Sequence, residues 1–385
     1  MTRRQHRGRA PENPAPARRR RSPVGLANPP PGTRIEAVAR LIEQSGEPPW
    51  RLTAILHGVR ERGRTRFEHM HQLPAGLRRR LADELGPSLF GLEPVAASGG
   101  EAVDKVLFET TGSVRFETVR ARYRDGWASL CVSSQAGCGL GCTFCATGAM
   151  GLERNLTADE ILGQVFDGRW RGPGAPPVRS IAFMGMGEAL ANPHLFAGLG
   201  MLADPAIGGL SPRRITVSTV GFAPNLARLV AEHPEVTITL SVHSPFPDQR
   251  AELVPLERRF SLGENLAVVD RHVAASGRRV FLAYALIDGV NDTRGHVEAL
   301  ARLVAERPRP DLVPVSVIPY NRAFGADPRF RSPTEERTRA FVRGLRDRGV
   351  RAMRRRQGGA DVDAACGQLH ARDSRARLAS PGRRR

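Results

Sequence analysis

The chain has 385 residues, 41% of them hydrophobic, and a net charge of +19. That length allows one large domain with smaller pieces, and that charge favours nucleic acid as partner through attraction to phosphate. No run approaches the roughly 18 uncharged apolar residues of a membrane helix, and no apolar segment follows the charged N-terminus, so neither a membrane partner nor a secretory leader is expected and the chain reads as cytoplasmic.

Residues 1 to 32 are rich in Arg, Pro, Gly and Ala and carry +7. They read as a disordered basic tail, as do residues 371 to 385, which carry +5. Every cation except Lys105 is an arginine, a bias of the whole chain. Helical periodicity begins at Thr33. Ile35, Val38, Leu41 and Ile42 share one face, as do Leu52, Ile55, Leu56 and Val59, and Leu77, Leu81 and Leu85 continue the pattern. These predict a small N-terminal helical domain over 33 to 100. VLFETTGSVRFET, from Val106, alternates around a Thr-Gly-Ser turn and predicts a hairpin.

Over 101 to 357, short β-branched runs alternate with amphipathic helical stretches. SLCVSS, SIAFM, RITVST, VTITLSVH, VFLAYALI and PVSVIPY are the predicted strands. Thr157 and Glu160 form a capping box that opens the helix after the first. Six such units predict an α/β fold with a parallel sheet, open or closed into a barrel, with ligands at the carboxyl ends of the strands.

Cys138, Cys142 and Cys145, three of five cysteines, follow the first strand with C-x3-C-x2-C spacing among Gly137, Gly139 and Gly141. Clustered thiols in a reducing compartment point to metal binding. A structural zinc would need a fourth ligand from elsewhere. An iron–sulfur cluster on three thiolates would leave one iron open to a ligand that is not protein.

FMGMGEALAN follows the second strand. Leu190 stands where a dinucleotide fingerprint needs its third glycine, so that motif fails. A tight turn and a ligand-holding turn, with Gly187 and Glu188 meeting an amine, both remain open. Ser218, then Ser241, Val242 and His243, then Asn321 stand at strand ends and could ring a ligand, or merely terminate strands. Cys131 in the first strand, and Cys366 in DVDAACGQL, read by themselves as small core residues.

With Phe144 before its last cysteine, the thiol loop resembles that of the radical S-adenosylmethionine (radical SAM) superfamily. The longer string SLCVSSQAGCGLGCTFCATG, with GMGEALAN, STVG, LSVHSP, DGVND and DVDAACGQL, closely resembles the Cfr/RlmN family of radical SAM rRNA adenine methyltransferases, from about Glu117 to Leu369. The resemblance implies a partial (βα)6 barrel, a [4Fe–4S] cluster on Cys138, Cys142 and Cys145, and two molecules of S-adenosylmethionine per turnover. It implies that Gly187, Glu188, Ser218, Ser241, Val242, His243 and Asn321 contact the cofactor. It also implies that Cys366, in a C-terminal loop over 358 to 370, carries a methyl group to an sp2 carbon of a peptidyl-transferase-centre adenosine in 23S rRNA. Cys131 would then resolve the adduct through a Cys131–Cys366 disulfide, and Glu117, otherwise a solvated hairpin carboxylate, would accept the proton. An electron donor such as flavodoxin or ferredoxin would be a partner. CATG, GEALAN and HSPFPDQR tilt the chain toward the branch that methylates C8 and confers antibiotic resistance, with C2 as the other carbon and a tRNA, small-molecule or peptide substrate as the alternatives.

Overall fold

The computed structural model describes residues 29–169, 174–322 and 325–355. Three helices come first: α1 (Arg34–Gln44), α2 (Trp50–Arg62) and α3 (Ala75–Leu85). Thr33 caps α1, its Oγ1 accepting from the Glu36 amide at 3.2 Å. The apolar faces read from the sequence are the buried faces, except that Leu85, at the end of α3, is only half-buried.

Four antiparallel neighbours follow: β1 (Leu92–Gly99), β2 (Val103–Thr110), β3 (Arg115–Tyr123) and β4 (Trp127–Val132). The expected hairpin is β2–β3. Strand β1 is a departure, because its residues were assigned to the end of the helical domain. It lacks strand-like alternation and begins Leu-Glu-Pro; its pairing with β2 supplies the order its own sequence does not. The buried faces of the helical segment are continuous with the core of the sheet. Ile35, Leu56 and Leu81 belong to the same buried cluster as Leu130, Ile181 and Val217.

The chain then forms a short hairpin, β5 (Gln135–Cys138) with β6 (Gly151–Asn155), around the one-turn helix α4 (Ala146–Ala149). Next come α5 (Ala158–Arg169), β7 (Val178–Phe183), α6 (Leu195–Ala203), β8 (Ile215–Thr219), α7 (Ala223–Glu232), β9 (Thr237–Ser241), α8 (Pro247–Leu253), α9 (Leu262–Ser276), β10 (Val280–Leu286), α10 (Arg294–Ala305), β11 (Val315–Pro319), α11 (Glu335–Arg346) and β12 (Ala352–Arg354). The capping box of α5 forms as read: the Glu160 amide donates to Thr157 Oγ1 at 3.2 Å and the Thr157 amide to Glu160 Oε2 at 2.9 Å. Asp159, in that first turn, also accepts the amides of Arg34 and Ile35, at 2.8 and 3.3 Å, and so ties α1 to α5.

One ten-stranded sheet runs β1-β2-β3-β4-β7-β8-β9-β10-β11-β12, parallel from β4 onward. The six expected parallel strands are all present, and β12 adds a seventh. Alternation decides the two faces. Leu130, Ile181, Val217, Leu240, Tyr284 and Val317 point into the helix-covered core. The residues between them, such as Ser129, Ala182, Thr239 and Ala283, point the other way, into a common cavity.

Candidate active site

That cavity has a volume of about 520 Å³, within the range of small-molecule sites. Residues of β3 and β4 at one side of the sheet order and of β11 at the other line the same space, so the sheet curls around it as a partial barrel does. Small inward side chains, Ala121, Ser129, Ala182, Ala283 and Ala285, keep it open.

Cys138, Cys142 and Cys145 stand together at its carboxyl end. Cys138 ends β5 rather than lying in an open loop, and the hairpin is glycine-dependent. Gly137 has φ +75°, and a Cβ there would lie 1.9 Å from the Gly151 carbonyl oxygen. The Cys145 amide donates to the Cys142 carbonyl at 3.1 Å. The Thr143 amide bonds the Leu253 carbonyl at 3.1 Å, and the Asp327 amide bonds the Thr143 carbonyl at 3.0 Å. Leu253, Val254, Ile287, Tyr320 and Phe330 form an apolar seat around Cys142.

This seat determines what the thiols can hold. Burial pushes the Cys138 thiol up to about 11. It pushes Cys142 higher still, with Cys145 and Cys138 adding to the effect. Three thiolates can persist there only with positive charge between them, which a metal body supplies. Three soft thiolate donors fit an iron–sulfur cluster, whereas a tetrahedral zinc would want a fourth ligand.

The second motif packs against this loop. Gly187 has φ +94°, and a Cβ there would fall 2.4 Å from the Gln135 Cβ. The Gln135 side chain accepts the Glu188 amide at 2.8 Å. The Glu188 carboxylate is buried and already engaged: Oε1 accepts the Leu190 amide and Oε2 the Val220 amide, both at 3.0 Å. Burial raises its pKa, and these bonds oppose the rise. Glu188 therefore braces two turns, and its spare lone pairs are what remain for a ligand amine.

Ser218, Ser241, His243 and Asn321 all line the cavity. Val242 does not line it through its side chain, so what it can offer a cofactor is its backbone. Its side chain is fully buried in the core behind β9, as alternation between Ser241 and His243 requires. Only its backbone serves the site: its amide donates to the Ala283 carbonyl at 2.8 Å, and its carbonyl accepts from Arg250 Nε at 2.9 Å. His243 has φ +60° and meets the Phe144 ring edge-on, centroids 4.8 Å apart. Asn291, the Asn of DGVND, is buried and donates to the His243 and Ala285 carbonyls, each at 2.7 Å.

Arg250, in α8, was missed. It is fully buried, pairs with Glu257, and donates to the carbonyls of Val220 at 2.5 Å and Ser241 at 3.0 Å as well as Val242. It thereby clamps the ends of β8 and β9. The sequence displayed it as one arginine among many.

The third group lies on β2, β3 and β4. Cys131 is a free thiol facing the cavity, pushed up to about 11 by burial, against the pull of Arg355. Glu117 lines the same wall. It is not solvated: it is buried, with Oε2 3.3 Å from Nζ of the buried Lys105. Lys105 was also missed; its signal was that it is the only lysine in the chain. Cys366 lies outside the described residues. No described helix is long and apolar enough to cross a membrane.

Residues 132–304 match the radical SAM superfamily. The chain is 41% identical over 338 residues to "Ribosomal RNA large subunit methyltransferase Cfr" of Shouchella clausii, covering 88% of this chain and 96% of that protein. It is 42% identical over 338 residues to the protein of the same name from Lachnoclostridium phytofermentans, covering 88% and 97%. Among solved structures, a radical SAM methyltransferase from Sphaerobacter thermophilus superposes with a TM-score of 0.80 at 39% identity, covering 87% of this chain and 97% of that one.

Proposed function

We propose a reaction for this chain from one premise: it belongs to the Cfr family of radical SAM ribosomal RNA large subunit methyltransferases. It is an S-adenosylmethionine-dependent RNA methyltransferase, and its cofactors are a [4Fe–4S] cluster and S-adenosylmethionine. When bound, these supply a carbon-centred radical able to take hydrogen from an inert C–H bond.

The target we assign is an sp2 carbon of the peptidyl-transferase-centre adenosine in 23S rRNA, C8 in preference to C2. An amidine carbon is a poor nucleophile for direct methyl transfer, so a carrier is needed. Cys366 is that carrier, holding the methyl group as a thioether. Cys138, Cys142 and Cys145 hold the cluster in their apolar seat. The Gly187 turn brings backbone and the remaining lone pairs of Glu188 to the cofactor amine. Ser218, Ser241, His243 and Asn321 offer hydroxyl, ring N–H and amide groups to its ribose and carboxylate. Once the carrier carbon has added to the ring, Glu117 accepts the proton of the ring carbon, and the odd electron left by the addition would return to the oxidised cluster.

Cys131 then resolves the adduct. Its thiolate attacks the Cys366 sulfur, an S–S bond forms, and the S–C bond breaks with its electron pair left on carbon. That carbon takes a proton and departs as the methyl group of the RNA. A thiol reductant returns the Cys131–Cys366 disulfide to thiols by exchange. The compartment is the reducing cytoplasm, and a flavodoxin or ferredoxin supplies the electron.

The observation that carries this reading is the shared wall: Cys131 and Glu117 line the same cavity as the three cluster thiols. A cysteine and a carboxylate there have no use in cofactor cleavage alone. Mass spectrometry of 23S rRNA from cells with and without the protein tests it. A C8-methyladenosine lost with the gene and with Cys366→Ala is expected, and such a mark surviving in Cys366→Ala would end the carrier role. Action on a tRNA, small molecule or peptide instead would leave 23S rRNA unchanged in both strains.

A further inference from the structure

We infer that Tyr123 is a stacking platform for an RNA base next to the adenosine that is methylated, held ready by Trp127 at the end of the cavity opposite the thiols. The inference deepens, and rests on, the reading of this chain as an RNA methyltransferase whose target base lies beside Cys131.

Strand direction separates the two ends. Strand β4 runs from Trp127 toward Cys131, and the thiol loop follows its carboxyl end. Tyr123 pairs with Trp127, the first residue of β4, so this pair marks the far end. On β3, Glu117, Val119, Ala121 and Tyr123 all line the cavity, as strand alternation places them. Val119 pairs with Cys131. Tyr123 therefore lies about 13 Å along the wall from the level of Cys131, at roughly 3.3 Å per residue. Cluster and cofactor take the thiol end, which leaves this end for RNA.

The ring is set up for stacking. Of the three tyrosines, Tyr284 and Tyr320 are buried and Tyr123 is 45% exposed. Its ring lies on that of Trp127, with centroids 3.9 Å apart and 16° between the planes. Its hydroxyl oxygen meets Ser129 Oγ, also in the cavity wall, at 3.2 Å. The ring is thus fixed along the wall before any base arrives. A cross-strand aromatic pair also supports a hairpin, but that role alone does not require the ring to line a cavity.

The chemistry creates the need for such a platform. Stacked nucleotides lie about 3.4 Å apart along a strand. A base drawn as far as Cys131 leaves that stack, and its neighbour loses the ring that covered it. Unstacking costs free energy. An aromatic side chain on the uncovered face offsets that cost, and it serves any base because every base has a π-face.

The test uses the anaerobic holoenzyme and RNA fragments of the peptidyl-transferase centre, intact or with one base beside the target removed to leave an abasic nucleotide. Tyr123→Ala is expected to raise KM for the intact fragment about tenfold or more. Its kcat at saturation, iron content and affinity for S-adenosylmethionine should match the parent. Tyr123→Phe should keep the parental KM, because stacking needs the ring and not the hydroxyl. Removing the stacked base should raise the parent's KM by the same factor and leave that of Tyr123→Ala unchanged. A parental KM in Tyr123→Ala overturns the inference. So does an abasic fragment series that penalises variant and parent equally at every neighbouring position. Should Tyr123→Ala fail to fold, Tyr123→Leu, which keeps apolar bulk in the hairpin, carries the same comparison. Parent protein that releases deoxyadenosine yet leaves the intact fragment unmethylated overturns the target reading, and this inference with it.

Discussion

The backbone amide of Ala285 donates to Nδ1 of His243 at 3.0 Å, and this bond decides which ring nitrogen faces the cavity. With Nδ1 accepting, a neutral imidazole carries its proton on Nε2 and presents a donor. Burial, with Arg250 nearby, holds the ring down to about 3, so it is neutral throughout the working range.

The same depression makes stability depend on pH. An unfolded histidine titrates near 6.5. Above that pH neither state binds the proton and stability is complete. As pH falls from 6.5 toward 3, the unfolded chain gains a proton that the folded ring refuses. His243 should therefore cost about 1.4 kcal/mol of stability per pH unit in that window. His233, His272 and His296, also lowered by burial, act in the same direction. Urea denaturation at several pH values should show a shallower acid loss in His243→Gln; an unchanged slope would contradict the neutral assignment.

Arg250 should be a costly side chain to truncate. Arg250→Ala leaves Glu257 buried without its cation and takes one donor from each of three carbonyls. Loss of one member of a buried pair costs roughly 3–5 kcal/mol. Denaturation of the apoprotein measures it, and a loss below about 1 kcal/mol would show that the clamp is dispensable.

Gly187→Ala should separate cofactor from cluster. A Cβ there meets Gln135 at 2.4 Å on a backbone with φ +94°, so the turn must move. Equilibrium binding of S-adenosylmethionine to the reconstituted protein should weaken by about tenfold or more, roughly 1.4 kcal/mol. Iron content should match the parent. Equal affinity in the variant would remove the turn from the site.

Val242 shows what the sequence made legible and what it did not. Spacing alone located the thiol loop, the glycine turn and the strand ends, because each is a local pattern. The run Ser241, Val242 and His243 does not by itself display that alternation sends the middle side chain to the other face and leaves only its backbone toward the cavity. Lys105 and Arg250 were hidden for another reason: burial of a charge is decided by distant partners, Glu117 across a strand pair and carbonyls of β8 and β9. Strand β1 was hidden because pairing, not propensity, makes it a strand.

Ser241, which ends β9, and Val242, which follows it, should respond differently to substitution. Val242→Ala should lower stability by about 2 kcal/mol through the cavity it leaves and leave affinity for S-adenosylmethionine unchanged. Ser241→Ala should weaken that affinity with little loss of stability. Paired melting and binding measurements decide it, and the reverse pattern would reject the assignment of faces.

The central claim is that Cys138, Cys142 and Cys145 hold an iron–sulfur cluster with one iron open to S-adenosylmethionine. Its most direct test is deoxyadenosine release by anaerobically prepared protein given S-adenosylmethionine and dithionite. Protein with about four irons per chain should release it, and the Cys138→Ala, Cys142→Ala and Cys145→Ala variants should not. Protein that carries its iron yet releases none, or a cysteine variant that still does, would contradict the account.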